Sequence, residues 1–246
     1  MAYNHDKITP SLIENAAKTD QIKTMFNNIA PTYDLLNKLL SFGLDHNWRQ
    51  TLIRLLLKNK PKNVLDVATG TADLAILAAK KDLNINVIGI DISKEMIEIG
   101  RTKVLKEELA ERVGLYVCDG KNIPFPDHFF DSIIIGFGIR NFENLDQSLA
   151  EIRRVLKPNG QLLILEFTKN ESIFFKYIIN FYLKFIVPNI AMIVSGNKPA
   201  YQYLFQSIQH FPAHQHFNRI LMGVGFRQVK NYNMSFQLCS IYVASK

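Results

Sequence analysis

The chain has 246 residues, 48% of them hydrophobic and 21% charged, which suits one sizeable core and excludes both a wholly disordered chain and two full catalytic domains. Its net charge of +7 leaves nucleic acid or an anionic membrane face open as partners, although Lys and Arg are spread along the chain rather than blocked. Cys118 and Cys239 lie far apart in no metal-ligand spacing and the N-terminus is polar, so a reducing, cytoplasmic setting is expected.

The segment to about residue 60 carries apolar residues at helical spacing, from Ile22 to Ala30 and through Leu52, Ile53, Leu55 and Leu56. It reads as helices laid before the first strand, an extension rather than a separate domain. From Asn63 the pattern turns to alternation. Strands are expected at Val64–Val67, Val87–Ile90, Gly114–Val117, Ser132–Ile135 and Gln161–Glu166, with helices from Ala72, from Lys94 and over Leu145–Leu156. Such β-α-β alternation predicts a parallel sheet covered by helices on both faces. Pro158-Asn159-Gly160 reads as the turn between the last helix and its strand.

The run Ile173–Val194 is long enough to span a membrane but carries Lys176, Lys184 and Pro188, so it reads instead as an amphipathic helix pair that walls a greasy pocket or touches a membrane surface. Phe226–Asn231 and Phe236–Ala244 read as a hairpin on the sheet edge.

Val64 to Leu74 has the layout of strand, tight turn and helix start that makes a nucleotide-type cofactor site. In the frame Ala68-x-Gly70-x-x-Asp73 a carboxylate stands where a dinucleotide fingerprint wants a small residue, and Asp66 lies on the same strand. Two negative charges beside the turn disfavour a pyrophosphate. They suit S-adenosylmethionine, whose ammonium meets carboxylates while its carboxylate meets turn N–H groups. Asp91 ends the second strand about 20 residues past Gly70, where an acid takes both ribose hydroxyls; it can also simply cap the next helix. Asp119 after the third strand can bond an adenine amino group, and Gly120 leaves room for the flat ring.

Met25-Phe26-x-x-Ile29-Ala30-Pro31-x-Tyr33-Asp34, Leu65 to Asp73, Ile123 to Asp127, Gly136-Phe137-Gly138-Ile139-Arg140-Asn141-Phe142, Glu151 to Pro158, Leu165-Glu166-Phe167 and Ala200 to Pro212 together resemble the menaquinone/ubiquinone-biosynthesis C-methyltransferase family, most closely its demethylmenaquinone-methylating branch. The resemblance covers the whole chain. It implies a Rossmann-like, class I S-adenosylmethionine-dependent methyltransferase: a seven-stranded, mostly parallel sheet with helices on both faces and the last strand antiparallel. One domain over 1–246 is expected, with the N-terminal extension to about 60 and a helical, substrate-covering insert over about 170–222. By motif position Thr71, Asp91, Asp119 and Gly120 join Asp66, Gly70 and Asp73 as cofactor contacts. Where relatives often have glycine this chain has Ala72, and where some have serine it has Gly136.

The implied reaction is methylation of a ring carbon in a prenylated hydroquinone, demethylmenaquinol foremost, with a ubiquinone-pathway benzoquinol as the alternative ring. Such a carbon becomes a nucleophile when the neighbouring hydroxyl loses its proton. Arg140, which hardly deprotonates, is expected to stabilise the oxyanion, with Asn141 and Asp119 holding a water that accepts the proton; the other reading ties Arg140 to Glu143. Aromatics from Phe174 to Ile186 would take the isoprenoid tail, and Lys176 and Lys184 would rest on an anionic inner leaflet. A homodimer is left open. His210, His214 and His216 straddle Pro212 without an acid or cysteine to complete a set, so no metal site is expected. Neither a basic stripe nor an RNA-methyltransferase motif is present, so no nucleic-acid partner is expected. Asp91, Asp119 and Arg140 are all retained, which argues against a non-catalytic adapter.

Overall fold

In the computed structural model, which describes residues 3, 7–10, 16–168, 177 and 179–246, the alternating pattern becomes a seven-stranded sheet of order β3-β2-β1-β4-β5-β7-β6. Two helices come first, α1 (Lys18–Leu40) and α2 (Leu44–Leu57). Then follow β1 (Asn63–Val67), α3 (Asp73–Lys81), β2 (Asn86–Asp91), α4 (Lys94–Lys106), β3 (Val113–Val117), β4 (Phe130–Gly136), α5 (Leu145–Val155) and β5 (Leu156–Phe167). After a π-helical turn (Tyr182–Ile186) come α6 (Val187–Ser195), α7 (Lys198–His210), α8 (His214–Gly223), β6 (Arg227–Met234) and β7 (Cys239–Ser245). β7 is antiparallel to both its neighbours, β5 and β6. The hairpin is therefore present, but its second strand slots into the sheet and only β6 forms the edge.

Strands β1 and β4 read as near-continuous apolar runs because helices bury both their faces. Trp48, Leu52 and Leu56 of α2 pack with α3 under one face. Leu149 and Ile152 of α5 pack with Phe217 and Leu221 of α8 under the other. A third cluster, of Ile22, Met25 and Ile29 with Ala191, Tyr201 and Tyr203, joins α1 to α6 and α7 above the carboxyl ends of the strands. The chain thus splits the region expected to cover substrate: α6 and α7 lie over the sheet ends, whereas α8 belongs to the core beneath.

Two local expectations change. Pro158-Asn159-Gly160 lies within β5, where pairing jumps from Phe130↔Leu156 to Ser132↔Gln161; the turn is a bulge inside a strand, with Asn159 left-handed at φ 63°. Phe236 leaves the strand for a turn in which Ser235, Phe236 and Gln237 all have positive φ. Helix α1 runs unbroken through Pro31. Phe174, Phe175, Lys176 and Ile178 lie outside the described residues.

Candidate active site

The turn after β1 is built from left-handed residues, Ala68 (φ 55°), Gly70 (φ 55°) and Ala72 (φ 68°). Left-handed alanine costs about 1–2 kcal/mol, and burial of its methyl returns about 0.8 kcal/mol; Ala72 is fully buried, which explains why a non-glycine residue can stand there. At Gly136 an added Cβ would lie 2.5 Å from Leu74 Cδ1, so a serine would require that side chain to move. The turn is tied to β2 by bonds from Thr69 N to Ile90 O (3.0 Å) and from Gly70 N to Asp91 Oδ2 (2.9 Å). Ser93 N donates to the other Asp91 oxygen at 2.9 Å. Helix α4 is capped by Ser93, whose hydroxyl accepts from Met96 N at 3.2 Å, while Asp91 lines the cleft and braces Ser93.

A cleft of about 740 Å³ opens at the carboxyl ends of the strands, lined by Gly70, Asp91, Met96, Asp119, Gly120 and Phe142 among others. It lies where the chain order of the sheet reverses between β1 and β4, the usual ligand position in such sheets. At Gly120 a Cβ would stand 3.3 Å from Val67 and 3.7 Å from Phe142; the glycine keeps a flat slot open between them. Asp119 accepts from Lys121 N at 2.9 Å, and its carboxylate is 3.5 Å from Lys121 Nζ.

A smaller polar pocket of about 360 Å³ adjoins this cleft along Ala68, Gly70, Gly136 and Phe137. Asp66 lines it, 1% exposed. One of its oxygens accepts from Thr69 Oγ1 at 2.7 Å, and the Ala75 backbone N–H also supports the carboxylate. Burial pushes its carboxyl up to about 7, against the opposing Thr69 bond. A buried acid in a pocket that adjoins a cleft with a flat slot at Gly120 fits a ligand that carries both a flat ring and an ammonium group.

Asp73 differs from its sequence reading. Its carboxylate is bound by Lys103 and lies 3.4 Å from Arg49, so the charge counted against a pyrophosphate is already neutralised. Thr71 donates to Asp34 Oδ1 at 2.6 Å, and Lys103 Nζ donates to Asp34 Oδ2 at 2.9 Å and to Thr71 at 3.1 Å. Thr71 and Asp73 thus face a clamp built from Asp34 of α1, Arg49 of α2 and Lys103 of α4. The tertiary approach of Arg49 and Lys103 left no signal in local spacing.

An apolar cavity of about 1570 Å³ lies beside the cleft, lined by Ile29, Trp48, Phe167, Leu183, Tyr201 and Leu204 among others. Cleft and cavity share Phe26, Tyr33, Phe137 and Asn141. Phe137 holds φ at 57°, a strained conformation of the kind that functional sites retain. The 3-10 turn Ile139–Asn141 follows it and sends Arg140 into the cavity wall, 5.6 Å above the Phe167 ring centroid. Arg140 Nη1 donates to Phe137 O (2.6 Å) and Glu166 Oε1 (2.7 Å). Glu166 is fully buried and also accepts from Arg140 N (3.3 Å) and Phe167 N (2.8 Å). Burial pushes the Glu166 carboxyl up, with Arg140 pulling against it.

The expected catalytic trio is therefore divided. Arg140 faces the cavity and Asp119 the cleft, while Asn141 borders both and accepts from Tyr203 OH at 3.1 Å. Among the described residues no hydrogen bond joins Asp119 to Arg140 or Asn141. Glu143 pairs with Thr19 Oγ1 (2.6 Å), Lys18 N (3.1 Å) and Lys121 Nζ (3.1 Å) rather than with Arg140. Sequence reasoning gave Glu166, Tyr201 and Tyr203 no role; an acid ending an otherwise apolar strand was the one available hint. His214 Nδ1 lies 3.1 Å from Tyr242 OH, and His210 Nδ1 lies 2.8 Å from Gln206 O.

The ubiE/COQ5 methyltransferase family matches residues 14–246. A demethylmenaquinone methyltransferase of Bacteroides fragilis is 41% identical over 246 residues, covering 100% of both chains. A ubiquinone/menaquinone biosynthesis C-methyltransferase UbiE of Geotalea uraniireducens is 40% identical over 230 residues, covering 93% of this chain and 97% of its own. Among solved structures, a SAM-dependent methyltransferase of Thermotoga maritima, a possible histamine N-methyltransferase, superposes with TM-score 0.64 at 17% identity over 92% of this chain and 99% of its own. The [4+2]-cyclase SpnF superposes with TM-score 0.69 at 18% identity over 94% and 97%. These structural likenesses bear on the fold alone, a class I, Rossmann-like sheet.

Proposed function

The chain belongs to the ubiE/COQ5 methyltransferase family, and we propose that it methylates a ring carbon of a prenylated hydroquinone, demethylmenaquinol foremost, at the junction of cleft and cavity. The observation that carries this reading is the meeting of a nucleoside-shaped cleft and a tail-sized apolar cavity at Tyr33, Phe137 and Asn141, with the buried cation of Arg140 in the cavity wall. S-adenosylmethionine, the donor of this enzyme class, supplies an electrophilic methyl group when bound. Asp91 would hold its ribose, Asp119 and Gly120 its adenine, and Asp66 its methionyl end, with Gly70, its N–H donated to Asp91, shaping the turn beneath. Thr71 and Asp73 line the same polar pocket as Asp66, and Thr71 also ties α1 over the turn through Asp34.

A phenol-like hydroxyl titrates near pH 10, about three units above neutrality, so the site must favour the anion by several kcal/mol. Arg140, held in a low-dielectric wall by Glu166, supplies that field. The oxyanion then pushes charge onto the neighbouring carbon, and the walls at Phe137 and Tyr33 align it for in-line attack. Asn141, its amide fixed by Tyr203, orients the reacting hydroxyl. The proton leaves through water toward Asp119 in the adjoining cleft.

Peripheral membrane contact is supported by the cavity mouth. Phe42, Phe181 and Ile186 line the cavity yet are 80%, 59% and 38% exposed, with Lys184 over the Phe185 ring. No helix among the described residues is long and apolar enough to cross a membrane, so the contact would be a surface one. Transfer of labelled methyl from S-adenosylmethionine to the ring of reduced demethylmenaquinone tests the function; a chain that labels no prenylated hydroquinone would not have it.

A further inference from the structure

The cavity's polar groups are almost all engaged within the protein. Tyr203 OH bonds Asn141, Tyr182 OH bonds Leu40 O at 3.0 Å, and Arg140 Nη1 bonds Glu166. Among the described residues two cavity-lining groups are exceptions, Arg140 Nε, which is buried without a hydrogen-bond partner, and Tyr201. Tyr201 is 4% exposed and lines the cavity, and its hydroxyl is buried with no hydrogen-bond partner. An unmade bond at a buried hydroxyl costs about 1–3 kcal/mol, and phenylalanine would remove that cost while filling the same space.

We propose that Tyr201 hydrogen-bonds the second oxygen of the hydroquinone, the one the methylation chemistry does not use, and so selects for a para-dihydroxy ring. The inference rests on the function proposed above. In a ring whose acceptor carbon lies between a hydroxyl-bearing carbon and the tail-bearing carbon, only the ortho oxygen can push charge onto the acceptor. That oxygen belongs with Arg140 and Asn141. The other oxygen is meta to the acceptor, adjacent to the tail, and electronically idle there; it serves as a handle. Tyr201 is placed to take it. The residue lines the same cavity as Arg140 and Asn141 and lies within electrostatic reach of Tyr33, which borders both cleft and cavity. A ring that offers no second oxygen leaves the Tyr201 hydroxyl as unsatisfied as before.

The test pairs two ligands with two proteins. The ligands are a short-chain 2-prenyl-1,4-dihydroxynaphthalene and the matching naphthol that keeps only the hydroxyl beside the acceptor carbon. Binding is followed anaerobically through the fluorescence of Trp48, the single tryptophan and itself a cavity-lining residue. The wild-type protein should bind the dihydroxy ligand about tenfold more tightly than the naphthol, the equivalent of one good hydrogen bond. Tyr201→Phe should lose that tenfold preference, binding the naphthol as the wild type does, and should raise KM for the dihydroxy substrate with kcat changed less than threefold. Equal weakening of both ligands, or none of either, overturns the assignment of Tyr201 alone. A wild-type protein that binds neither ligand overturns the proposed function together with it.

Discussion

Arg140 Nη1 lies 2.7 Å from Glu166 Oε1 in a contact that is 8% exposed on one side and fully buried on the other. A buried pair of this kind is strongly destabilised when one partner is removed, by about 3–5 kcal/mol, because the other charge is left without compensation. Arg140→Ala should therefore lower both activity and the melting temperature, the latter by roughly 6–20 °C for a domain of this size. Arg140→Met with Glu166→Gln removes both charges and should recover most of the melting temperature but none of the turnover, with cofactor affinity near wild type. Thermal melts and cofactor titrations on the two variants decide it. Recovered turnover in the double variant would show that the cation is structural.

The Asp66 carboxyl, raised to about 7 by burial, predicts a pH signature. A carboxyl whose pKa is higher folded than unfolded holds its proton more tightly in the folded state, so without cofactor the protein should lose stability as pH rises from about 4 to about 7. A ligand ammonium favours the ionised form, so cofactor binding near pH 6.5 should release a proton. Calorimetric binding heats should then depend on the buffer's ionisation enthalpy, and in Asp66→Asn they should not. Buffer-independent heats in the wild-type protein would remove Asp66 from the cofactor site.

Helix α1 crosses the cleft tied at both ends, by Glu143 to Thr19 and Lys18 and by Asp34 to Thr71 and Lys103. Ile22, Phe26 and Tyr33 between those ties line the cleft. With each tie contributing about 1 kcal/mol, Asp34→Ala should weaken cofactor binding about fivefold. The Lys103 share of that effect should be small, since half-exposed ion pairs are screened. Titration at low and high salt measures it; unchanged affinity would mean that α1 does not hold the cofactor.

Much of this arrangement is legible in the sequence because it is local. The β1 turn, Asp91 at the end of β2 and Gly120 after β3 follow from strand-turn-helix chemistry, and the Gly136–Phe142 segment carries the family resemblance. The ion pairs of Asp73 were not legible because its partners Arg49 and Lys103 come from other elements. Glu166 and Tyr201 carried no recognisable role, since a buried acid and an unpartnered hydroxyl are defined by what surrounds them. The strand assignment of Phe236 failed where three successive left-handed residues override β propensity.

The exposed aromatics at the cavity mouth predict a tail effect. Phe42→Asp and Phe181→Asp should lower kcat/KM for a long-tailed hydroquinone in anionic vesicles about tenfold or more, through lost burial of roughly 2 kcal/mol per side chain. They should leave a short-chain, water-soluble analogue unaffected. Equal losses for both substrates would relocate these residues to the fold rather than to a membrane-facing rim.

The most direct measurement of the central claim incubates the protein with labelled S-adenosylmethionine and, side by side, reduced demethylmenaquinone and a reduced prenylated benzoquinone of equal tail length, with product mass and methyl position read out. The account predicts one methyl added to a ring carbon, with the naphthalene ring turned over in preference. A methyl found on oxygen, or on neither ring, would contradict it.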